Sequence, residues 1–226
     1  MARLPRIVIP QVAHHVTQRG NRRQRVFLED ADYPLYLDLM AQACKENAVE
    51  VWSYCLMPNH VHLVMVPADR EGLSRAVGEA HRRYSAYINA RLRVTGHLFQ
   101  GRFGCVAMDE AHLVAAVRYI ALNPVKAGLV TQATAWPWSS AAALAARRND
   151  VLVKVRPVLK RIGDFAEFMG QPEDSDLRKA LERGLSVGRP LMAVTALAEV
   201  ERQLGGSYCE TGVSHLSPQL VMPHLV

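Results

Sequence analysis

Between Val49 and Val66 the chain carries two apolar runs rich in β-branched residues, separated by Pro58-Asn59. A gap that short predicts an antiparallel hairpin of Val49–Leu56 with His60–Val66. A lone hairpin is barely stable in water, so this one must belong to a larger sheet packed on something apolar. The second strand opens on His60-Val61-His62. Side chains alternate along a strand, so His60 and His62 share one face, while Val61, Leu63 and Met65 line the other. Two neighbouring imidazoles on a rigid strand are half of a metal site. Taken alone, the pair is equally a polar patch on a wet face, because H-x-H is short and unspecific.

The flanking segments predict the rest of the sheet. Ile7 to Gln18 reads as a strand, followed by an arginine-loaded turn, Arg19-Gly20-Asn21-Arg22-Arg23-Gln24-Arg25. Asp30 to Asn47 has helical spacing at Leu35, Leu39, Met40 and Ala43. Gly72 to Arg93 is a stronger helix, with a stripe that includes Leu73, Val77, Ala80, Tyr84 and Ile88. Gly101 to Met108 is a fourth, short strand. Asp109 suits the cap of a helix from Glu110 to about Leu122, which Asn123-Pro124 is expected to stop. The order β-α-β-β-α-β-α predicts an α+β fold: a ferredoxin-like, split β-α-β antiparallel sheet with helices on one face.

Beyond Gly128 the pattern weakens. Trp136-Pro137-Trp138 is expected to turn back onto the core. Ala141–Arg148, Asp164–Met169, Asp176–Gly184 and Thr195–Leu204 are candidate helices, and Gly205 to Val226 has little periodicity and is expected to be disordered. The expected division is a domain over residues 1–140 and a helical C-terminal extension over 141–226.

The 226 residues include 27 Lys and Arg against 21 Asp and Glu, a net charge of +6. Up to Gly128 the balance is 16 against 11, and after it 11 against 10, so the excess lies with the His pair. Such an excess suits a polyanion, with nucleic acid first in line. Cys44, Cys55, Cys105 and Cys209 are widely spaced, which argues for free thiols in a reducing cytosol and against a zinc ribbon or a disulfide framework. No apolar run approaches membrane-spanning length and no signal peptide is expected, so a cytoplasmic, nucleoid-associated protein is expected.

A His pair needs partners to react. Tyr119 and Asn123 lie four apart on the predicted third helix and so share a face. Tyr119 offers a phenolic nucleophile and Asn123 an amide oxygen. Two imidazoles and an amide oxygen suit a hard divalent ion, Mg²⁺ or Mn²⁺, with positions open to phosphate oxygens. On spacing alone Tyr119 is equally the rim of a packed helix, and Asn123 a helix stop. Tyr84 and Tyr87 fall on an apolar stripe, and Tyr54 sits on a strand.

Four strings occur in order: His15-Val16-Thr17-Gln18-Arg19-Gly20-Asn21, Met57-Pro58-Asn59-His60-Val61-His62-Leu63, Gln100-Gly101-Arg102-Phe103 and Tyr119-Ile120-Ala121-Leu122-Asn123-Pro124-Val125-Lys126-Ala127-Gly128. Together they resemble the single-tyrosine HUH transposases, and most of all the branch of REP-associated tyrosine transposases, over about residues 7 to 140. The resemblance implies His60 and His62 as metal ligands, Asn123 as the residue that completes the site, and Tyr119 as the nucleophile. It implies attack on single-stranded DNA beside a hairpin, leaving a 5′-phosphotyrosine and a free 3′-OH. It implies Mg²⁺ or Mn²⁺ and no organic cofactor.

Arg19, Arg22, Arg23 and Arg25 then suit phosphates of a hairpin stem or foot, and Arg82 and Arg83 a groove along the second helix. Arg102 is either structural or a phosphate contact. A cis site in a monomer is favoured over a shared dimeric one. Two rivals to a strand transferase remain at this stage. One is a domesticated hairpin-DNA binder with little or no catalysis, and the other a zinc hydrolase that uses only the His pair. Gly188-Arg189-Pro190-Leu191 matches a string of many relatives, but the tail after it does not.

Overall fold

Strand β1, His14–Arg19, is the axis of the fold. It pairs antiparallel with β3, His60–Pro67, on one side and with β4, Gly104–Ala107, on the other. Strand β2, Val49–Met57, forms the expected hairpin with β3, with Met57 opposite His60 across the Pro58-Asn59 turn. The sheet order is therefore β2-β3-β1-β4, antiparallel throughout, the ferredoxin-like order. These features come from a computed structural model, which describes residues 6–187 and 190–193 with positions 195, 197–199 and 202. The stretch Gly205–Val226, Cys209 and part of the helix expected over Thr195–Leu204 lie outside the described residues.

The helices divide between the two faces. Helices α1, Asp32–Glu46, and α2, Gly72–Leu92, pack together over the face that carries Val16, Val61, Leu63 and Met65, all fully buried. Helix α3, Glu110–Lys126, crosses the other face, where Tyr119 meets the rings of His15 and His62. The expectation of helices on one face thus describes α1 and α2. The second face needs its own cover because Val64 and Val66 share it with the histidines and are themselves buried.

Helix α3 also outruns its expected stop. Pro124 lies inside it and leaves the Ile120 carbonyl without its ladder donor, but the residues after it keep helical pairing. Ala127 N–H still donates to the Asn123 carbonyl at 3.0 Å, so the helix runs on to Lys126. At the other end the Asp109 carboxylate caps the helix as expected, accepting from His112 N–H.

Helices α4 (Ala141–Ala145), α5 (Arg156–Ile162), α6 (Phe165–Gly170) and α7 (Ser175–Val187) belong to one compact unit with the sheet, and that unit extends to Met192. Trp138 stacks on Tyr33 at 4.6 Å, and Trp136 donates to the Leu56 carbonyl, so the segment turns back onto β2 as expected. Arg118, 6% exposed, donates to the carbonyls of Phe168, Met169 and Gln171 and ties α3 to the end of α6. Leu191 bonds the backbone of Ala107 and Asp109, which returns the chain after α7 to the edge at β4. Among the described residues no helix is long and apolar enough to cross a membrane.

Candidate active site

The register of β1 against β3 builds the floor of the site. Thr17 lies opposite His62 and Arg19 opposite His60, so all four project from the α3 face. The His60 and His62 rings sit 4.9 Å apart, nearly perpendicular. Helix α3 brings Tyr119 over them, 5.6 Å from the His62 ring, with Asn123 one turn further on the same side. These groups line an open cleft of about 650 Å³, with Gln100, Arg102 and Glu182 on its walls. The tight turn after β1 is fixed by Gly20, whose N–H donates to the Asn59 carbonyl. A Cβ there would lie 2.2 Å from the Gln24 carbonyl oxygen, so only glycine fits.

Both histidines are neutral near pH 7. Burial pushes the His60 imidazole down to about 4, helped by the Arg19 charge and opposed by Asn123. Burial, then His15, His60 and Arg19, hold His62 well below its ordinary value. Neutral imidazoles are ready to donate a lone pair without losing a proton first. His60 Nδ1 lies 2.6 Å from the Asn59 Oδ1, an atom that only accepts, so Nδ1 carries the proton and Nε2 is bare. His62 Nδ1 is also engaged, 3.0 Å from His15 Nε2.

The donor set fits a hard divalent ion. Among the described residues no three His, Cys, Asp or Glu side chains cluster as a ligand set, so the pair needs an oxygen from elsewhere. Asn123 supplies one, in polar contact with both His60 and Tyr119. Tyr119 is raised above its ordinary value, first by burial and also by the Glu182 charge, while Asn123 and nearby guanidinium groups act the other way. The phenol therefore keeps its proton at rest.

The arginines expected to meet phosphate are distributed. Arg19 and Arg102 line the cleft itself. Arg22, Arg23 and Arg25 are exposed on the turn beyond it, Arg22 and Arg23 with φ of 52° and 63°. On α2, Arg82 pairs with Glu79 at 2.8 Å and Arg83 donates to Gln42 at 2.7 Å. Two rival tyrosines are committed elsewhere: Tyr84 donates to the Val26 carbonyl and Tyr54 to Asp150, both buried, whereas Tyr87, expected on the apolar stripe, is exposed beside Arg91 and outside the cleft. His15 and Glu182 were not singled out from sequence. The first could have been found from strand alternation, since it shares a face with Thr17 and Arg19. The second arrives on a helix sixty residues after Tyr119, with no local signal.

A family model described as IS200-like transposase matches residues 8–123. The chain belongs to the IS200-like transposase family. Among solved structures, the chain resembles a REP-associated tyrosine transposase bound to a REP hairpin, with 23% identity and a TM-score of 0.57 over 69% of this chain and 93% of that one. That likeness bears on the fold. A crystal structure from Deinococcus radiodurans, of a protein assigned to the transposases, is 19% identical with a TM-score of 0.37 over 53% of this chain and 95% of that one, too slight a likeness to carry an argument. No curated protein matches the chain. Within an IS200-like transposase, the cleft beneath α3 holds every residue expected to be a ligand or nucleophile: His60, His62, Asn123 and Tyr119.

Proposed function

We propose that this IS200-like transposase cleaves and rejoins single-stranded DNA beside a hairpin of the REP type, through a covalent bond to Tyr119. The observation that carries this reading is the convergence of one phenol, two neutral imidazoles and an amide on a single open cleft. His60, His62 and Asn123 would hold Mg²⁺ or Mn²⁺. Such an ion would polarise the scissile phosphodiester and offset the charge that grows on its oxygens.

The chain's own residues do the rest. Tyr119 is held by the rigid α3 above the His pair, where a strand entering the cleft presents its phosphorus. The phenolic oxygen bonds to phosphorus as the P–O3′ bond breaks, and the phenolic proton is balanced by the new 3′-OH. Asn123 lies against the phenol and favours its deprotonation. Arg19 and Arg102 meet the flanking phosphates. Attack by a 3′-OH on the phosphotyrosine reverses the step and rejoins strands without an external energy source. Helix α3 lays Tyr119 over the His pair of its own chain, which supports a site in cis.

The test is incubation of labelled single-stranded hairpin DNA with Mg²⁺ or Mn²⁺, followed by denaturing electrophoresis. A protein-linked DNA species is expected, absent with chelator and absent in Tyr119→Phe. Salt-sensitive hairpin binding without any covalent species would replace this reading with that of a binding module.

A further inference from the structure

His15 lies behind the proposed ligand pair and takes no part in the reaction as described. It has no exposed surface, and β1 sets it opposite Val64, on the face that α3 covers. Its Nε2 lies 3.0 Å from His62 Nδ1, with the rings 5.1 Å apart. Its other nitrogen, Nδ1, is the one buried side-chain polar atom without a hydrogen-bond partner among the described residues. Buried polar atoms are rarely left so, and a core position that served packing alone would take an apolar side chain.

One proton lies between the two rings. If His15 holds it on Nε2, His62 must carry its own proton on its Nε2 and has no lone pair to offer there. If His62 holds it on Nδ1, the His62 Nε2 is bare, and the proton given up there is balanced by one on the unpartnered His15 Nδ1, so both rings stay neutral. Either arrangement leaves that buried atom unsatisfied, so nothing in the pair alone decides between them. A cation on His62 decides it, because it strengthens the Nδ1–H as a donor toward His15. His60 is held differently: the Asn59 oxygen can only accept, so the neutral ring turns a bare nitrogen outward.

We propose that His15 is a positioning residue whose Nε2 accepts a hydrogen bond from His62 Nδ1–H, so that His62 turns a bare Nε2 outward as a ligand when a divalent ion binds, the proton given up at His62 Nε2 being balanced by the one gained at His15 Nδ1. The two ligands are then unequal: His60 is preset by Asn59, and His62 is switched by His15. This inference rests on the reading of His60 and His62 as ligands. Outer partners of ligating histidines commonly govern affinity by roughly 10- to 100-fold.

The experiment measures Mn²⁺ affinity directly, by calorimetry, for wild type, His15→Leu and His15→Gln. It also assigns the histidine tautomers of ¹⁵N-labelled wild type by NMR, with and without Mg²⁺. His15→Leu is expected to weaken Mn²⁺ binding about 10-fold or more, and His15→Gln, whose side-chain oxygen can accept the same proton, to recover most of it. Mg²⁺ is expected to fix the His62 proton on Nδ1. Unchanged Mn²⁺ affinity in folded His15→Leu overturns the proposal while leaving the ligand reading intact. Wild type that binds no Mn²⁺ overturns both. If His15→Leu does not fold, the wild-type tautomer decides: a proton on His62 Nε2 in the Mg²⁺-loaded protein overturns the proposal.

Discussion

The two faces of this sheet are made by alternate residues of the same two strands and obey opposite rules. Toward α1 and α2 point Val16, Val61, Leu63 and Met65, each fully buried and none needing a polar partner. Toward α3 point His15, Thr17, Arg19, His60 and His62, nitrogen-rich, partly desolvated and, at His15 Nδ1, unsatisfied. Both faces bury apolar side chains, Val64, Val66 and Ile120 among them on the α3 side, but only the second also desolvates a cluster of polar groups, which costs stability and leans on the backbone pairing that the apolar contacts fix. A one-residue slip of β3 on β1 would exchange the two sets, so the apolar face is what keeps the register of the reactive one.

That division predicts a clean separation of effects. Tyr119→Phe removes the proposed nucleophile, one hydroxyl. It is expected to lower covalent adduct formation by on the order of 10³-fold or more, with thermal stability and hairpin affinity nearly unchanged, as gel assays and calorimetry would register. Adduct surviving in the variant would mean another nucleophile. Leu63→Ala, on the other face, is expected to cost about 2–5 kcal/mol in denaturant unfolding, because it opens a cavity in a close-packed core. Below its unfolding transition it should still form the adduct at a near wild-type rate. A large loss of activity in that folded variant would show that the two faces are not separable.

The comparison also explains what was legible from sequence. Alternation along a strand is local, so Val61, Leu63 and Met65 against His60 and His62 could be read directly, as could Tyr119 and Asn123 on one helical face. The sheet order followed from the succession of elements. What was not legible depends on distant partners. His15 meets His62 only through the β1–β3 register, forty-seven residues apart. Arg118 reads as a basic residue beside Tyr119, yet it is buried against carbonyls at the end of α6. Pro124 reads as a stop, but the backbone bonds that Ala127 and Leu129 make to Asn123 and Pro124 carry the chain on past it.

Acid should weaken both sides of the sheet, because each holds buried histidines. Burial lowers His15 to about 3 and His60 to about 4 from an ordinary 6.5. His14, beside Met65 on the α1 and α2 face, and His81, on α2 itself, fall to about 4 and about 3. Between pH 6.5 and about 4 the unfolded chain takes up protons that the folded chain refuses, so stability falls as pH falls through that window. Each such histidine contributes a slope of up to about 1.4 kcal/mol per pH unit. Replacing one by glutamine, as in His15→Gln, is expected to flatten the slope of unfolding free energy against pH by that share. An unchanged slope would mean that the imidazole already titrates normally in the folded protein.

The smallest expected effect concerns the wall of the cleft that α7 supplies. Glu182 is a carboxylate in a cleft that otherwise presents arginines to a polyanion, and it lies on the side of the molecule least readable from sequence. Its ion pair with Arg178, at 2.9 Å, is half exposed, so little folding free energy is at stake. Glu182→Gln removes one negative charge near the entering phosphates and frees the Arg178 guanidinium from that partner. Hairpin DNA is therefore expected to bind a few-fold more tightly, with a steeper dependence of affinity on salt, in a titration by fluorescence anisotropy. The same change removes a charge that holds the Tyr119 proton in place, so adduct formation at saturating DNA should rise slightly and not fall. A variant that binds more tightly but forms less adduct would mean that Glu182 takes part in moving the phenolic proton, and would transfer this residue from the wall of the cleft to its chemistry.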